Sequence, residues 1–357
     1  MPHPQPPLGR ARAFAADYGL QAPILMAPMA GVTDPALAIA VANGGGMAAC
    51  GALMLSPDQI LEWGRAMRAG SNGAFQLNTW IPEPAPTRDS AHEAAMMEFL
   101  SEWGPPPKSA EPSLQDFDQQ CEAMLSVGPE VISSVMGVFP PEFVAKMKSR
   151  GIKWFAAVTT VGEARQAEDA GADVIIAQGA EAGGHRGSFE VAKSEEQSIG
   201  LISLIPAVVD AVDVPVVATG GIADGRAVAA ALILGASAVQ VGTALLRAPE
   251  AGIAKTWADA IGAAAPEDTV GTRAFSGRLG RSLRTAYVEA AHSAAAPKPA
   301  PYPVQRQLTN EMRSQASKDN LLNGIQAWAG QSAGLARVAP AKDIVEELWR
   351  DAQALLT

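Results

Sequence analysis

Cysteine, histidine and tyrosine are scarce in this chain of 357 residues, which contains two, four and three of them respectively. Cys50 and Cys121 have no metal-ligand spacing and no oxidising context, so we expect two free thiols in a reducing compartment rather than a disulfide framework. A Cys/His metal cluster, an H-E-x-x-H motif and a Walker phosphate loop are also absent. The sequence therefore predicts no metal site and does not support metalloenzyme or nucleotide-hydrolysing functions.

Basic residues are also fewer than acidic ones, since the chain has 27 lysines and arginines but 37 aspartates and glutamates, and its formal net charge is −10. This balance argues against nucleic acid or an anionic membrane as a partner, although a local basic site can still hold a phosphate. The Pro-rich start lacks the apolar core of a signal peptide, and the best membrane-span candidate, Ala227–Leu246, is interrupted by Gly235 and Gly242. With 48% hydrophobic residues, the chain is expected to be a soluble, globular, cytoplasmic protein.

Short apolar runs rich in β-branched residues alternate with segments typical of helices along most of the chain. Asp34-Pro35 and Ser56-Pro57 are helix starts, each with an N-cap residue before a proline at the first helical position. Eight such runs predict a parallel sheet, and their number favours an α/β fold of the (β/α)8 TIM-barrel type over a doubly wound sheet. The expected strands are Pro23–Gly31, Met47–Cys50, Gly73–Asn78, Val131–Val135, Trp154–Val158, Val174–Gln178, Val214–Thr219 and Ala238–Val241.

The barrel is expected to span residues 15–248, after a loosely structured start. A proline-rich insertion at residues 79–112 follows the third strand, and a long segment at such a position is typical of a lid or a binding loop. Residues 249–357 are too many for a single closing helix. We therefore expect them, including an amphipathic helix at Lys342–Leu355, to form a small helical cap beside the barrel mouth.

Glycine-rich turns follow the last three expected strands. Because the active sites of barrel enzymes lie at the carboxyl ends of the strands, residues there belong to one candidate site. Gly220-Gly221 and Gly242-Thr243 each precede a helical segment and leave backbone N–H groups unblocked, which is the usual arrangement of a barrel phosphate site. The structural alternative is a pair of tight turns that need glycine only for their geometry.

Residues at the other strand ends favour flavin mononucleotide (FMN) as the ligand whose phosphate binds at these turns. Asn78 and Gln178 can both donate to and accept from a flavin ring edge or ribityl hydroxyls, and Pro28-Met29 offers an apolar floor. A sugar phosphate also fits the turns, but more charged catalytic residues usually accompany it. The expected cofactor-binding residues are Ala27, Pro28, Met29, Asn78, Gln178, Gly183, Gly184, Gly220, Gly221, Gln240, Val241, Gly242 and Thr243.

His185 is the one histidine that falls in the expected barrel mouth, at the end of the loop Ala177–Gly187. The other three lie in Pro-rich, polar or Ala-rich contexts and are expected to be exposed. With an ordinary pKa of about 6.5, His185 can act as a base or as a cation beside an anionic substrate. Arg186 is equally open to a structural role, Glu181 is expected to orient backbone groups, and the arginines of Thr269–Arg284 are expected to form ion pairs at the barrel rim.

Several of these segments, in this order, closely resemble the nitronate monooxygenase family, formerly called 2-nitropropane dioxygenases. The resemblance covers most of the chain, from about residue 20 to the segment Trp328–Gln331. The matching segments are Ala27–Val32, Gln178–Gly187, Ala218–Asp224, Gln240–Thr243 and Thr272–Arg278.

The resemblance implies an FMN-bound barrel that oxidises alkyl nitronates with dioxygen to a carbonyl compound and nitrite, without a nicotinamide. The implied partners are a small nitronate or nitroalkane and dioxygen, and homo-oligomerisation is left open. His185 is implied to be the catalytic histidine. The residues implied to hold FMN are Asn78, Gln178, Gly183, Gly221 and Gln240–Thr243.

Two other functions remain open at this point. An NAD(P)H-dependent FMN reductase of enoyl thioesters or quinones is the main alternative, because similar barrels share the Gly-Gly-His loop. A barrel that binds a flavin or a small molecule without catalysis is the third. Nicotinamide-dependent bleaching of the flavin distinguishes the reductase from the oxidase.

Overall fold

A computed structural model describes residues 6–357, in which eight parallel strands form a barrel. With three further strands that lie outside the barrel (β7, β10 and β11), the strands in chain order are β1 (Ile24–Met26), β2 (Ala48–Gly51), β3 (Phe75–Trp80), β4 (Val131–Val135), β5 (Lys153–Val158), β6 (Val174–Gln178), β7 (Gly184–His185), β8 (Val216–Thr219), β9 (Ala238–Val241), β10 (Thr269–Thr272) and β11 (Gly280–Leu283). The barrel sheet has the order β1-β9-β8-β6-β5-β4-β3-β2, and a parallel bridge between Leu25 and Met47 joins its two ends. The predicted TIM barrel is thereby confirmed.

Helices of the described chain cover the outside of the barrel and build its C-terminal segment. They are α1 (Pro7–Asp17), α2 (Pro35–Asn43), α3 (Pro57–Gly70), α4 (Ser90–Leu100), α5 (Phe117–Val127), α6 (Pro141–Ser149), α7 (Val161–Asp169), α8 (Leu201–Val209), α9 (Gly225–Ile233), α10 (Lys255–Ala263), α11 (Ala286–Ala291), α12 (Val304–Leu308), α13 (Asn310–Lys318) and α14 (Ala341–Leu356). Short 3₁₀ turns lie at Ala52–Met54, Val191–Lys193, Thr243–Leu245, Pro249–Ala251, Pro266–Asp268, Leu322–Gly324 and Ala333–Leu335.

The predicted helix starts are present with their capping bonds. The Asp34 carboxylate accepts a hydrogen bond from the Ala36 N–H at 2.8 Å, directly before α2. Ser56 and Gln59 form a reciprocal capping box at the start of α3. These bonds satisfy N–H groups that the first helical turn leaves without an acceptor, so the local sequence places both helix starts.

Residues 7–17 form helix α1, so the expectation of a loose start was wrong for these residues, whereas residues 1–5 lie outside the described part of the chain. Helix α1 packs Phe14 into a buried cluster with Phe155 and other residues at the amino-terminal end of the barrel. Tyr18, just beyond the helix, places its ring edge-on to Phe155 at 5.2 Å between centroids. The helix therefore covers an apolar barrel end that would otherwise contact water, and this burial stabilises it despite the Pro-rich sequence before it.

A second, antiparallel sheet crosses the barrel mouth and was not expected from the sequence. Strand β11 pairs with β10 on one side and with β7 on the other, where Gly280 lies opposite His185 and Arg281 opposite Gly184. The residues expected to form a helical cap therefore contribute strands as well as helices. The domain boundary at residue 248 stays a prediction.

The last helix also lies elsewhere than expected. α14 packs on α9 and α2 in the outer layer of the barrel, where it takes the place of a closing helix. Close approach requires Gly225, because a Cβ there would lie 2.5 Å from the Cβ of Asp351. Helix α14 buries Val345, Leu348 and Trp349 in the main hydrophobic cluster.

The α14 interface predicts a difference between two leucines of the same helix. Leu348→Ala should lower the free energy of unfolding by about 2–4 kcal/mol, because Leu348 is 4% exposed and its removal leaves a cavity. Leu355→Ala, where the side chain is 58% exposed, should change it by less than about 0.5 kcal/mol. Urea unfolding followed by circular dichroism measures both. Equal effects would show that α14 does not hold the barrel as described.

Candidate active site

A cavity of about 620 Å³ opens at the carboxyl ends of the barrel strands. It brings together every residue that the sequence singled out for a cofactor or for catalysis. Their roles remain predictions, whereas their proximity is a feature of the structure. These lining residues are Ala27, Pro28, Met29, Asn78, Gln178, Gly183, Gly184, His185, Gly220, Gly221, Gln240, Val241, Gly242 and Thr243.

Two turns in the cavity wall present unpaired main-chain N–H groups. Gly220 and Gly221 have φ values of +115° and +68°, a conformation that L side chains rarely adopt. The Ser332 hydroxyl donates to the Gly221 carbonyl at 2.7 Å and holds this turn. The N–H groups of residues 220–223, and those of residues 242–243 in the neighbouring turn, find no acceptor within residues 6–357. Adjacent N–H groups before α9 form a cradle for an anion.

The amide side chains divide into two groups by their bonding. Gln178 is committed to its own loop, since its Nε2 donates to the His185 carbonyl at 3.0 Å and its Oε1 accepts from the Gly187 N–H at 2.8 Å. Asn78 donates to Ser133, and Gln240 accepts from Gln76 at 3.2 Å. The Asn78 Oδ1 and Gln240 Nε2 atoms have no partner in the described chain, so these two amides remain available to a ligand.

His185 lies in strand β7 in the wall of the cavity. Its Nε2 is 2.7 Å from the hydroxyl of buried Ser276, and its ring stands edge-on between Trp80 and Trp328, at 4.8 and 5.0 Å between centroids. Burial, together with the smaller effect of the positive charges of Arg278, Arg306 and Arg313, lowers the pKa of His185 to about 3. The imidazole is therefore neutral at neutral pH.

Two arginines of the cavity wall have no carboxylate partner in the described chain. Arg313 donates to Thr309, to Gln326 and to the Arg306 carbonyl, and its burial lowers its pKa to about 9. The Arg306 guanidinium has no hydrogen-bond or ion-pair partner among residues 6–357, and Lys318 lines the same cavity. This wall favours an anionic ligand, because no carboxylate of the described residues pairs with these two arginines.

These two arginines were not predicted as site residues from the sequence. They are seven residues apart in the nearly continuous helices α12 and α13, a spacing that places both on one helical face. That spacing was the available signal. Trp80, which lies in the last position of β3, was also missed.

A family model for nitronate monooxygenase matches residues 13–351. The chain belongs to the nitronate monooxygenase family. A probable nitronate monooxygenase from Staphylococcus aureus (strain Newman) is 34% identical over 338 residues, which cover 92% of this chain and 94% of that protein. As a member of this family, the chain is an oxidoreductase.

Solved structures similar to this family member share the barrel. Nitroalkane oxidase from Streptomyces ansochromogenes superimposes with a TM-score of 0.88 at 33% identity, covering 97% of this chain and all of that one. FabK from Thermotoga maritima superimposes with a TM-score of 0.75 at 27% identity, covering 96% of each chain. The similarity therefore includes both the barrel and the C-terminal segments that build its mouth.

Other charged residues of this nitronate monooxygenase family member serve the architecture. Buried Arg186 donates to the carbonyls of Gln178, Thr159 and Gln197, and Glu181 accepts from the Leu201 N–H, as a role in orienting the backbone requires. Arg273 forms an ion pair with Glu195. Arg278 pairs with Glu83 of the insertion, and Arg281 donates to the Ala180 carbonyl just after β6, so these two arginines join the C-terminal segment to loops at the barrel mouth. Arg284 pairs with Glu289 of α11, within the C-terminal segment itself.

Nothing within residues 6–357 supports thiol catalysis, metal binding or a transmembrane helix. Burial raises the pKa of Cys50 to about 12, so this free thiol is not an activated nucleophile. No group of His, Cys, Asp and Glu within residues 6–357 is arranged to hold a metal ion. None of the helices described is long and apolar enough to span a bilayer.

The depressed pKa of His185 predicts a loss of stability in mild acid. Between pH 6.5 and 3 the unfolded chain binds a proton at this residue and the folded chain does not, so the free energy of unfolding falls as the pH falls. From pH 8 to pH 5 this contribution should amount to about 1–2 kcal/mol. His185→Gln should remove that part of the pH dependence in urea titrations. A His185 ring signal that titrates near pH 6.5 by NMR would refute the assignment.

Proposed function

We propose that this protein oxidises alkyl nitronates with dioxygen to a carbonyl compound and nitrite, using FMN and no nicotinamide. One observation carries the proposal: the same cavity contains two separate regions that suit anions. One is the cradle of unpaired N–H groups, and the other is the wall of arginines without carboxylate partners beside the neutral His185. The first suits a cofactor phosphate and the second an anionic substrate. Atoms and charge balance when one dioxygen converts two nitronate anions into two carbonyl compounds and two nitrite anions.

The residues present fit FMN. The N–H groups of residues 220–223 and 242–243 would hold the phosphate, which would give an acceptor to donors that have none among residues 6–357. The free amide ends of Asn78 and Gln240 would bond to the flavin ring or ribityl chain, and Ala27–Met29 would contact it with apolar atoms. Bound FMN would supply the one-electron and dioxygen chemistry.

The cationic wall supports a nitronate rather than a neutral nitroalkane as substrate. Arg306 and Arg313 attract and orient the negative oxygens, because an anion there is not competing with a protein carboxylate. A histidine with a pKa of about 3 is a weak base for a carbon acid, whereas a nitronate has already lost its α-proton. His185 accordingly orients the nitronate by hydrogen bonding, held in place by Ser276 and by the two tryptophan rings.

Surrounding residues keep the bound substrate out of water. Trp80, Trp328 and Tyr302 form an aromatic wall next to His185. Excluding water strengthens the attraction between the guanidinium groups and a nitronate. We place this reaction in the cytoplasm, where reducing conditions keep Cys50 and Cys121 as thiols.

Oxygen uptake tests the proposed function directly. Purified yellow protein should consume oxygen and release nitrite on addition of ethyl nitronate, without NADH. His185→Ala should lower kcat/KM about 10²-fold or more, because the substrate loses an orienting contact beside the reacting atoms. His292→Gln, which changes an exposed histidine bonded to Thr272, is the matched control and should retain full activity.

Three results would contradict the proposal: no uptake by the wild type, undiminished uptake by His185→Ala, or rapid anaerobic bleaching of the flavin by NAD(P)H. The last would favour an FMN reductase. Bound FMN with neither activity would indicate a binding barrel without catalysis.

FMN binding should depend on the shape of the turn at Gly221. Gly221→Ala forces an alanine into φ +68° and brings its Cβ to 3.0 Å from the Glu181 Cβ, so the turn must shift and its N–H groups move away from the phosphate. We expect FMN affinity to fall about tenfold or more, as measured by quenching of flavin fluorescence on addition of apoprotein. Gly128→Ala has the same backbone strain, at φ +65°, with open space around its Cβ, and should leave affinity unchanged. Equal affinities for the two variants would exclude this turn as the phosphate site.

A further inference from the structure

A second cavity, of about 520 Å³, lies beneath the proline-rich insertion, next to the candidate active site. Most of its wall is hydrocarbon, from the insertion, from the start of α5 and from α12. Characteristic lining residues are Leu53, Ile81, Pro82, Leu114, Phe117 and Val304.

The charged groups in the wall of this second cavity are already neutralised by ion pairs within the described chain. Arg278 pairs with Glu83 at 3.0 Å, and Arg88 pairs with both Glu93 and Glu111. The Gln120 amide, also in the wall, donates to the carbonyls of three residues between Ala52 and Leu55. No unpaired charge of the described chain faces this cavity, so it suits a neutral, apolar occupant.

The two cavities adjoin each other at Trp80. Leu53 and Trp80 line both of them. The Trp80 ring is 4.8 Å from the ring of His185 on the active-site side and 5.3 Å from that of Tyr302, which lines the second cavity. A group bound beside His185 is therefore one aromatic ring away from the apolar space.

We propose that the second cavity receives the hydrocarbon chain of the substrate, so that the preferred substrates are nitronates of medium-length linear alkanes. The inference rests on the proposed function, which it refines. The cationic wall of Arg306 and Arg313 holds the nitronate head, and the chain passes Trp80 into the space under the insertion. The nitronate end of the substrate thus lies against arginines without carboxylate partners, and its alkyl end lies against apolar side chains.

Chain length should then raise kcat/KM strongly. Burial of each additional methylene multiplies affinity by about four, provided that the chain has reached the second cavity. The series runs from the nitronate of nitroethane to that of 1-nitrodecane. We expect kcat/KM to rise about fourfold per carbon in the middle of the series and to level off once the cavity is full.

A variant in the cavity wall separates this effect from catalysis. Leu114→Asp places a carboxylate at a half-exposed loop position, where folding tolerates it, and should reduce the gain to less than about twofold per carbon while ethyl nitronate turnover stays unchanged. Ile202→Asp, at a 74% exposed position on α8 outside both cavities, is the matched control and should keep the wild-type dependence.

Calorimetric titration with 1-octanol and 1-butanol tests the cavity without turnover. The wild type and Ile202→Asp should bind octanol at least tenfold more tightly than butanol, and Leu114→Asp should lose most of this preference. Turnover of ethyl nitronate with no dependence on chain length would overturn the inference and leave the proposed function intact. Octanol binding without a chain-length effect on turnover would assign the cavity to a separate apolar ligand and also overturn it. Failure of every nitronate to react would refute the proposed function itself.

Discussion

The pairing of β7 with β11 is the interaction on which the candidate active site depends. Residues 184 and 185 belong to a glycine-rich loop that has high conformational entropy when free. Main-chain pairing with residues 280 and 281 orders this loop, and the Arg281 side chain adds a bond of 2.9 Å to the Ala180 carbonyl. The same C-terminal segment supplies Ser276 to the imidazole of His185. One ladder therefore both closes the barrel mouth and fixes its histidine.

The distribution of charge divides the barrel mouth into a cationic cavity and a neighbouring cavity whose charges are paired. The chain has a net charge of −10, yet its central cavity contains arginines without carboxylate partners, because the acidic residues near the mouth already bind other groups. Burying these cations is costly, and the hydrogen bonds of Arg313 to Thr309, Gln326 and the Arg306 carbonyl offset only part of that cost. A bound anion would offset more of that cost. The neighbouring cavity, where each arginine has a carboxylate partner, has no such preference.

Local patterns predicted the barrel well because each βα unit carries its own signal. β-Branched runs mark the strands, and Asp34 and Ser56 cap their helices through bonds within three residues. The strand-end residues could be collected into one site for the same reason, since parallel strands deliver their carboxyl ends to one face. Helix α1 escaped prediction because its stability comes from packing Phe14 on the barrel end rather than from local propensity.

The sequence by itself therefore determined the barrel, the glycine turns and the histidine at position 185, all of which follow from short-range periodicity and backbone geometry. Only the tertiary structure decided the surroundings of that histidine. Ser276, Trp328 and Arg313 are distant from His185 in the chain, and β11 pairs with a strand of only two residues whose pattern carries no period. Contacts of this kind depend on where the C-terminal segment folds back, and that depends on packing over the whole molecule. Local sequence patterns carry no information about this packing.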